Sequence, residues 1–417
     1  MILAKILNKI YKKDGIILED PSGQKYIIGN PKKENPIILK LFKENLKWKL
    51  VLDPEIEFPE AYMRNEIEIK NGSLEHFLMS LVKNLGREEI TTASYISKKI
   101  FEIARLISNF NLPGRSRKNV EHHYDIGGEK GEKLYDIFLD KKHRQYSCGY
   151  WKKNTQTLED AQQNKIDHII KKLDIKNGDK VLDIGCGWGG MALELAKQKG
   201  CEVTGISLST NQINYCKKKA KELGLNNQVS FELADYREIK GEYDKIYSVG
   251  MFEHVGRKFY NKFFKSINKL LKKDGSFLLH TIGVVDKASP PNKFINRYIF
   301  PGGICPSLSQ ITKSLEKTGL IVSDTETLIR HYDKTLISWL ERFNAKKHLV
   351  KDMFDEKFVK MWTFYLASCA AAFRYRDLVV FQLQIVKNFD SAHPTSCLLY
   401  TSPSPRDATL SRMPSSA

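Results

Sequence analysis

One ten-residue phrase, Val181-Leu182-Asp183-Ile184-Gly185-Cys186-Gly187-Trp188-Gly189-Gly190, joins an apolar strand, an acid and a run of glycines where the chain must turn sharply into a helix. Glycine there permits positive φ and lets a ligand approach the backbone closely. A ligand laid over the carboxyl ends of such a sheet is also touched at the next strand ends, here Ser207-Leu208-Ser209-Thr210-Asn211-Gln212 and Ala234-Asp235-Tyr236. Ser209 serves equally as the N-cap of a helix starting at Asn211. Elsewhere stand Cys148, Glu253, His280 and Tyr332, residue types able to hold or move a proton. Taken singly, Cys148 reads as a small buried hydrophobe, His280 as a satisfied core histidine and Glu253 as a charge at a helix N-terminus.

Because the acid precedes the first glycine, the loop reads D-x-G-x-G-x-G, which resembles the S-adenosylmethionine loop of class I methyltransferases more than the G-x-G-x-x-G cradle of dehydrogenases. Under that resemblance Asp235, a loop carboxylate in need of a partner, receives the adenine amino group. No acid closes the second strand, so Ser207 and Gln212 are left to supply neutral hydrogen bonds to the ribose.

The elements that must carry these phrases follow from composition and rhythm. In 417 residues, 41% hydrophobic and 28% charged, collagen, disulfide-rich and wholly disordered classes are excluded, and two or three domains are expected. Apolar runs such as Leu378 to Phe381 fall far short of the roughly 18 residues of a spanning helix. The lysine-studded amino end is unlike a secretory signal, so a cytoplasmic protein is expected. Seven cysteines without a C-x-x-C pair suggest neither a disulfide framework nor a metal site. From Lys180 strands alternate with helices (Met191 to Lys199, Asn211 to Leu223, Tyr260 to Leu271), which predicts βαβ units and a parallel, doubly wound sheet: an α/β, Rossmann-like domain over residues 121–390. Residues 1–110 read as a smaller α+β domain, with a helix near Ile90 to Asn109 and a Pro-Gly linker over 111–120. Residues 391–417 hold seven Ser and four Pro but no Lys, Asn or Ile, and read as a disordered or artefactual tail.

Taken together, Tyr146-Ser147-Cys148-Gly149-Tyr150-Trp151, the glycine loop, Gly250-Met251-Phe252-Glu253-His254-Val255-Gly256, Leu279-His280-Thr281-Ile282-Gly283, His331-Tyr332-Asp333-Lys334 and Ser368-Cys369-Ala370-Ala371 resemble cyclopropane-fatty-acyl-phospholipid synthases and the related mycolic acid cyclopropane synthases. The resemblance implies methyl transfer from S-adenosylmethionine to a cis double bond of an acyl chain, then proton loss and ring closure, with bound bicarbonate as the base. It places bicarbonate against the backbone of Cys148 and Ile282 and the side chains of Glu253, His280 and Tyr332. Tyr146 and Ser147 would reach the cofactor together with Asp183, Gly185, Cys186, Gly187, Trp188, Gly189, Ser207, Leu208, Ser209, Gln212, Asp235 and Tyr236. Cys369, a nucleophile in some proposals for the family, reads better as tunnel lining, since transfer to an alkene needs no covalent intermediate. Aromatic residues from Phe294 to Phe300 suit an acyl-entry lid.

The formal charge of +18 draws the chain toward phosphate-bearing partners. It is spread along the chain: residues 1–120 hold 21 basic against 15 acidic side chains, so no confined nucleic-acid arm exists. The expected partner is a phospholipid bilayer surface with its unsaturated acyl chains, at the inner face of the cell membrane, and no nucleic acid. Lys217-Lys218-Lys219 and Lys272-Lys273 are candidate headgroup contacts. A homodimer is left open, and the rival activity is N-methylation of a small amine. Deleting residues 391–417 should leave activity and melting temperature unchanged; a loss of either, by assay or thermal denaturation, would show that the tail belongs to the fold.

Overall fold

The computed structural model describes residues 1–86, 129–286, 288 and 292–392. At the amino end α1 (Ile2–Ile10) turns Leu3, Ala4 and Leu7 inward onto a small sheet. β1 (Gly15–Glu19) pairs antiparallel with β2 (Lys25–Gly29) and parallel with β3 (Ile38–Leu41). After α2 (Leu46–Leu52) and α3 (Pro54–Met63), β4 (Ile67–Lys70) closes the order β2-β1-β3-β4. α4 (Leu74–Leu85) starts where the Ser73 hydroxyl accepts the His76 N–H at 3.1 Å.

α5 (Glu129–Phe138) and α6 (Leu158–Leu173) lead into the alternating region. It runs β5 (Lys180–Ile184), α7 (Gly190–Lys199), β6 (Glu202–Ser207), α8 (Thr210–Glu222), β7 (Val229–Leu233), β8 (Tyr243–Val249), α9 (Tyr260–Leu270) and β9 (Leu271–Val284). The five strands are parallel, in the order β9-β8-β5-β6-β7. The chain reverses its direction of travel between β5 and β8, so a crevice opens at their carboxyl ends.

The carboxyl-terminal part adds what the strand-helix rhythm did not announce. After α10 (Leu308–Leu315), β10 (Ile321–Leu328), α11 (Tyr332–Ala345), α12 (Lys347–Met353) and α13 (Glu356–Tyr375), the last strand β11 (Leu378–Val386) inserts antiparallel between β9 and β10. The sheet therefore has seven strands, of which β11 alone runs against the other six. β11 is buried along nearly its whole length, which explains its apolar sequence.

The amino-terminal layer packs on α13. Phe58 of α3 stacks on Phe77 at 5.4 Å and meets Phe364 at 6.0 Å, and Phe294 packs edge-on against Phe364 at 4.9 Å. One apolar cluster thus runs from Leu3 to Val380. The expected helix near 90–109, the linker 111–120 and residues 393–417 lie outside the described residues. Among the described residues no helix is long and apolar enough to cross a membrane. Phe364→Ala should cost about 3–5 kcal/mol; urea unfolding of the full chain checks this, and a cost below about 1 kcal/mol would show that the two layers do not share a core.

Candidate active site

The segment before α6 lies outside the sheet and must be folded back over it. Asp140 does this: its buried carboxylate accepts the N–H of His143 at 2.6 Å, of Arg144 at 3.1 Å and of Gln145 at 2.7 Å. Beneath the loop the fully buried Lys165 of α6 donates to Gln145 Oε1 at 2.5 Å and Ser147 Oγ at 2.8 Å. Gly149 N–H donates to Thr335 Oγ1 at 3.1 Å, tying the far end to α11. Tyr146, Ser147 and Cys148 are thereby held above the crevice.

One cavity opens there, lined by the loop and by the carboxyl ends of β5, β6 and β8. Gly185 (φ +90°) and Gly187 (φ +54°) form its turn. A Cβ on Gly185 would meet Met251 at 2.7 Å, whereas Gly187 faces open space. This is a cradle only glycine can build. Asp183 is fully buried and accepts the Tyr247 hydroxyl at 2.9 Å; burial pushes its carboxyl up to about 7. Ser207 Oγ donates to Gln212 Oε1 at 2.8 Å, leaving the Gln212 amide donors for a ligand.

Tyr146, Ser147, Asp183, Gly185, Cys186, Gly187, Trp188, Ser207, Leu208, Gln212, Asp235 and Tyr236 all line this cavity. Gly189 and Ser209 do not. Ser209 is buried as the N-cap of α8, accepting the Gln212 N–H at 3.2 Å. Gly189 backs onto Cys216 and Phe231, which leave no room for a Cβ. Asp235, expected to be a carboxylate in need of a partner, already has one: Arg237 grips both its oxygens from two residues away.

A second cluster sits beside the cavity. Burial raises Glu253 to about 7; its Oε1 accepts the Ile282 N–H at 2.6 Å, and its Oε2 is buried without a hydrogen-bond partner. His280 is held neutral by burial and by nearby Lys165. Its Nδ1 lies 3.0 Å from Gln382 Nε2; an amide N–H donating there leaves the ring proton on Nε2, free for a ligand. Tyr332, its ionisation pushed far up by burial, lies in the field of Tyr365, Cys148, Glu253 and Cys369. Cys148, Glu253, Tyr332 and Cys369, from four separate stretches of sequence, are brought together, Ile282 joins them through Glu253, and His280 follows two residues away on β9, in the field of Lys165, His168 and Lys172. The Cys369 thiol is pushed up to about 12 by desolvation, so at neutral pH it is no thiolate nucleophile.

The orphaned Glu253 oxygen and the Nε2–H of His280 suit a small protonated oxyanion such as bicarbonate. The Ile282 N–H expected to hold that ion is taken by Glu253 itself. Residue type and spacing give no role to Lys165, Gln382, Tyr247, Arg237, Arg144 or His254, all of which the structure places at or beside the site. Only Gln382 left a trace: with Gln384 it interrupts an apolar strand at a spacing of two, marking one face as polar. Of the basic faces, Lys272 is paired with Asp244 at 2.8 Å and Lys219 with Glu222 at 3.1 Å.

The model of the family described as mycolic acid cyclopropane synthetase matches residues 113–383. The cyclopropane-fatty-acyl-phospholipid synthase of Escherichia coli (strain K12) is 41% identical over 276 residues, covering 66% of this chain and 69% of that one. The crystal structure of mycolic acid cyclopropane synthase CmaA1 complexed with SAH and CTAB superposes with a TM-score of 0.60 at 32% identity, covering 64% of this chain and 97% of that one. Coclaurine N-methyltransferase, at a TM-score of 0.63 and 21% identity over 80% of this chain and 99% of that one, shares the fold. With a glycine cradle at the switch point and buried Glu253, His280 and Tyr332 next to it, these matches identify the chain as a member of the mycolic acid cyclopropane synthetase family and an S-adenosylmethionine-dependent methyltransferase.

Proposed function

We propose that the protein converts the cis double bond of an unsaturated acyl chain in a membrane phospholipid to a cyclopropane, working at the inner face of the membrane with residues 1–110 as its lipid-associating part and bicarbonate as general base. The observation that carries this reading is the partnerless Oε2 of Glu253, buried in the field of Tyr332, with His280 two residues along β9 from Ile282, whose N–H Glu253 accepts. An amine acceptor, itself a nucleophile, has no need of such a cluster.

S-adenosylmethionine when bound supplies the methyl group, and bicarbonate a base for the proton that the new methyl must lose. The chain's own residues supply position and dryness. An alkene is a feeble nucleophile, so orientation in a water-free crevice carries much of the rate. Gly185, Gly187, Ser207 and Gln212 would hold the cofactor. Glu253 would accept the hydroxyl hydrogen of the base, and His280 Nε2–H would donate to its oxyanion. Tyr332, uncharged, would orient the ion and face the developing cation. For the Ile282 N–H to reach the ion as well, the Glu253 side chain must release it.

Mass spectrometry tests the activity: incubation with S-adenosylmethionine and unsaturated phospholipid vesicles should add about 14 Da to a chain that loses its double bond. No gain, with the cofactor still bound, would point to an amine or another acceptor. Glu253→Gln should lower product formation at least roughly 100-fold while sparing cofactor binding; unchanged turnover would remove the base-site argument. Since burial raises this carboxyl to about 7 and it is needed ionised, kcat/KM should climb as pH rises through that value; a profile flat across neutral pH would contradict this. Gly185→Val should weaken S-adenosylmethionine binding at least roughly tenfold by calorimetry, and an unchanged Kd would move the cofactor elsewhere.

A further inference from the structure

We infer that the exposed face of α2 is the surface by which the protein docks on an anionic phospholipid bilayer, an inference that rests on the proposed phospholipid substrate. Trp48 and Leu52, each 57% exposed, stand four residues apart and so share one side of the helix; Phe42, 44% exposed, lies in the segment that leads into it, four residues before Leu46. Indole and aliphatic side chains in such a group suit the headgroup boundary of a bilayer.

Charge selects the occupant. Residues 1–52 carry eleven lysines against five acids, and residues 1–13 four lysines and no acid. α1 packs on α2 and turns Ile2, Lys5 and Lys9 outward in one stripe. Lys5, Lys9 and Lys43 form no ion pair among the described residues, so their charge is available to lipid phosphates, at about 1 kcal/mol each near the surface. The neighbouring acids are already matched: Asp53 by Lys293, Glu57 by Lys49, and Glu60 by Arg64 and Arg297. A second copy of the chain would set lysines against lysines across a two-fold axis.

Position links this face to the site. Asp53, the residue after Leu52, holds Lys293 at 2.5 Å, and Glu60 receives the Tyr298 hydroxyl at 2.8 Å. That aromatic segment ends at Phe300, which packs on His254 of the cofactor cavity at 5.8 Å and on Tyr365 at 6.0 Å. A bilayer held at α2 therefore lies beside the segment that borders the site.

The test compares the full chain with Trp48→Ala/Leu52→Ala and Lys5→Glu/Lys9→Glu variants. Co-sedimentation is measured with vesicles of phosphatidylglycerol and phosphatidylcholine, and turnover on those vesicles and on the same lipids dispersed in detergent. Both variants should partition to anionic vesicles at least roughly tenfold less and lose vesicle turnover in proportion, with detergent-dispersed turnover and melting temperature unchanged. Wild-type protein that ignores anionic vesicles, or variants that bind them equally well, would overturn the docking face. So would variants that keep vesicle binding but convert a sedimenting dimer to a monomer, since the face would then join two copies. Absence of product on both lipid forms would sink the acyl-chain reading instead, while the partition data still decide the docking face.

Discussion

Three backbone N–H groups converge on the carboxylate of Asp140, and the site depends on that convergence. The bonds are charge-assisted and sheltered from water, so they hold the chain through a turn in which Arg144 takes a left-handed φ of +51°. The turn presses His143 O so close to Gly190 that a Cβ there would lie 1.8 Å away. Loop and cofactor turn are thus fitted to each other, and glycine at 190 is demanded by the loop as much as by any ligand.

The second organising effect is desolvation. Burial raises Asp183 and Glu253 to about 7, lowers His254 to about 4 and keeps Tyr332 and the Cys148 thiol protonated. Few of these groups bear a full charge near neutrality. Such a crevice can accept a sulfonium donor and an apolar chain without setting strong local charges against either, and its dryness strengthens the few hydrogen bonds that orient them.

A largely buried ionic cluster between α6 and β10 steadies the sheet on the side of His280, within whose field it lies. His168 and Lys172 of α6 meet Glu326 of β10 at 2.6 and 2.7 Å, and Lys172 also meets Asp324 at 3.3 Å. The Tyr150 hydroxyl donates to Glu326 at 3.2 Å, and its ring stacks on His168 at 4.3 Å. Buried ion pairs contribute little net stability but penalise any other register. Here they bind α6, the edge strand β10 and the loop into one arrangement, with Gln382 of β11 directly opposite His280 of β9.

The parallel part of the fold was legible because its signals are local: apolar runs for β5 to β9, amphipathic periods for α7 to α9, and α4 at the expected Leu74 to Leu85. The glycine turn was legible too, since positive φ can be read from residue type. β10 and β11 were not, because β10 is a half-exposed edge strand with a polar sequence and the place of β11 in the sheet depends on partners far away in sequence. Lys165 in a helix reads as a solvated charge until the Gln145 and Ser147 acceptors are folded over it. Asp235 reads as a carboxylate in want of a ligand until Arg237 is seen to close on it. The sequence by itself determined which residue types are present and where the chain must turn. Tertiary structure decided which polar atoms are satisfied and which, like Glu253 Oε2, remain open, because hydrogen-bond satisfaction and desolvation belong to the assembled surroundings of a group.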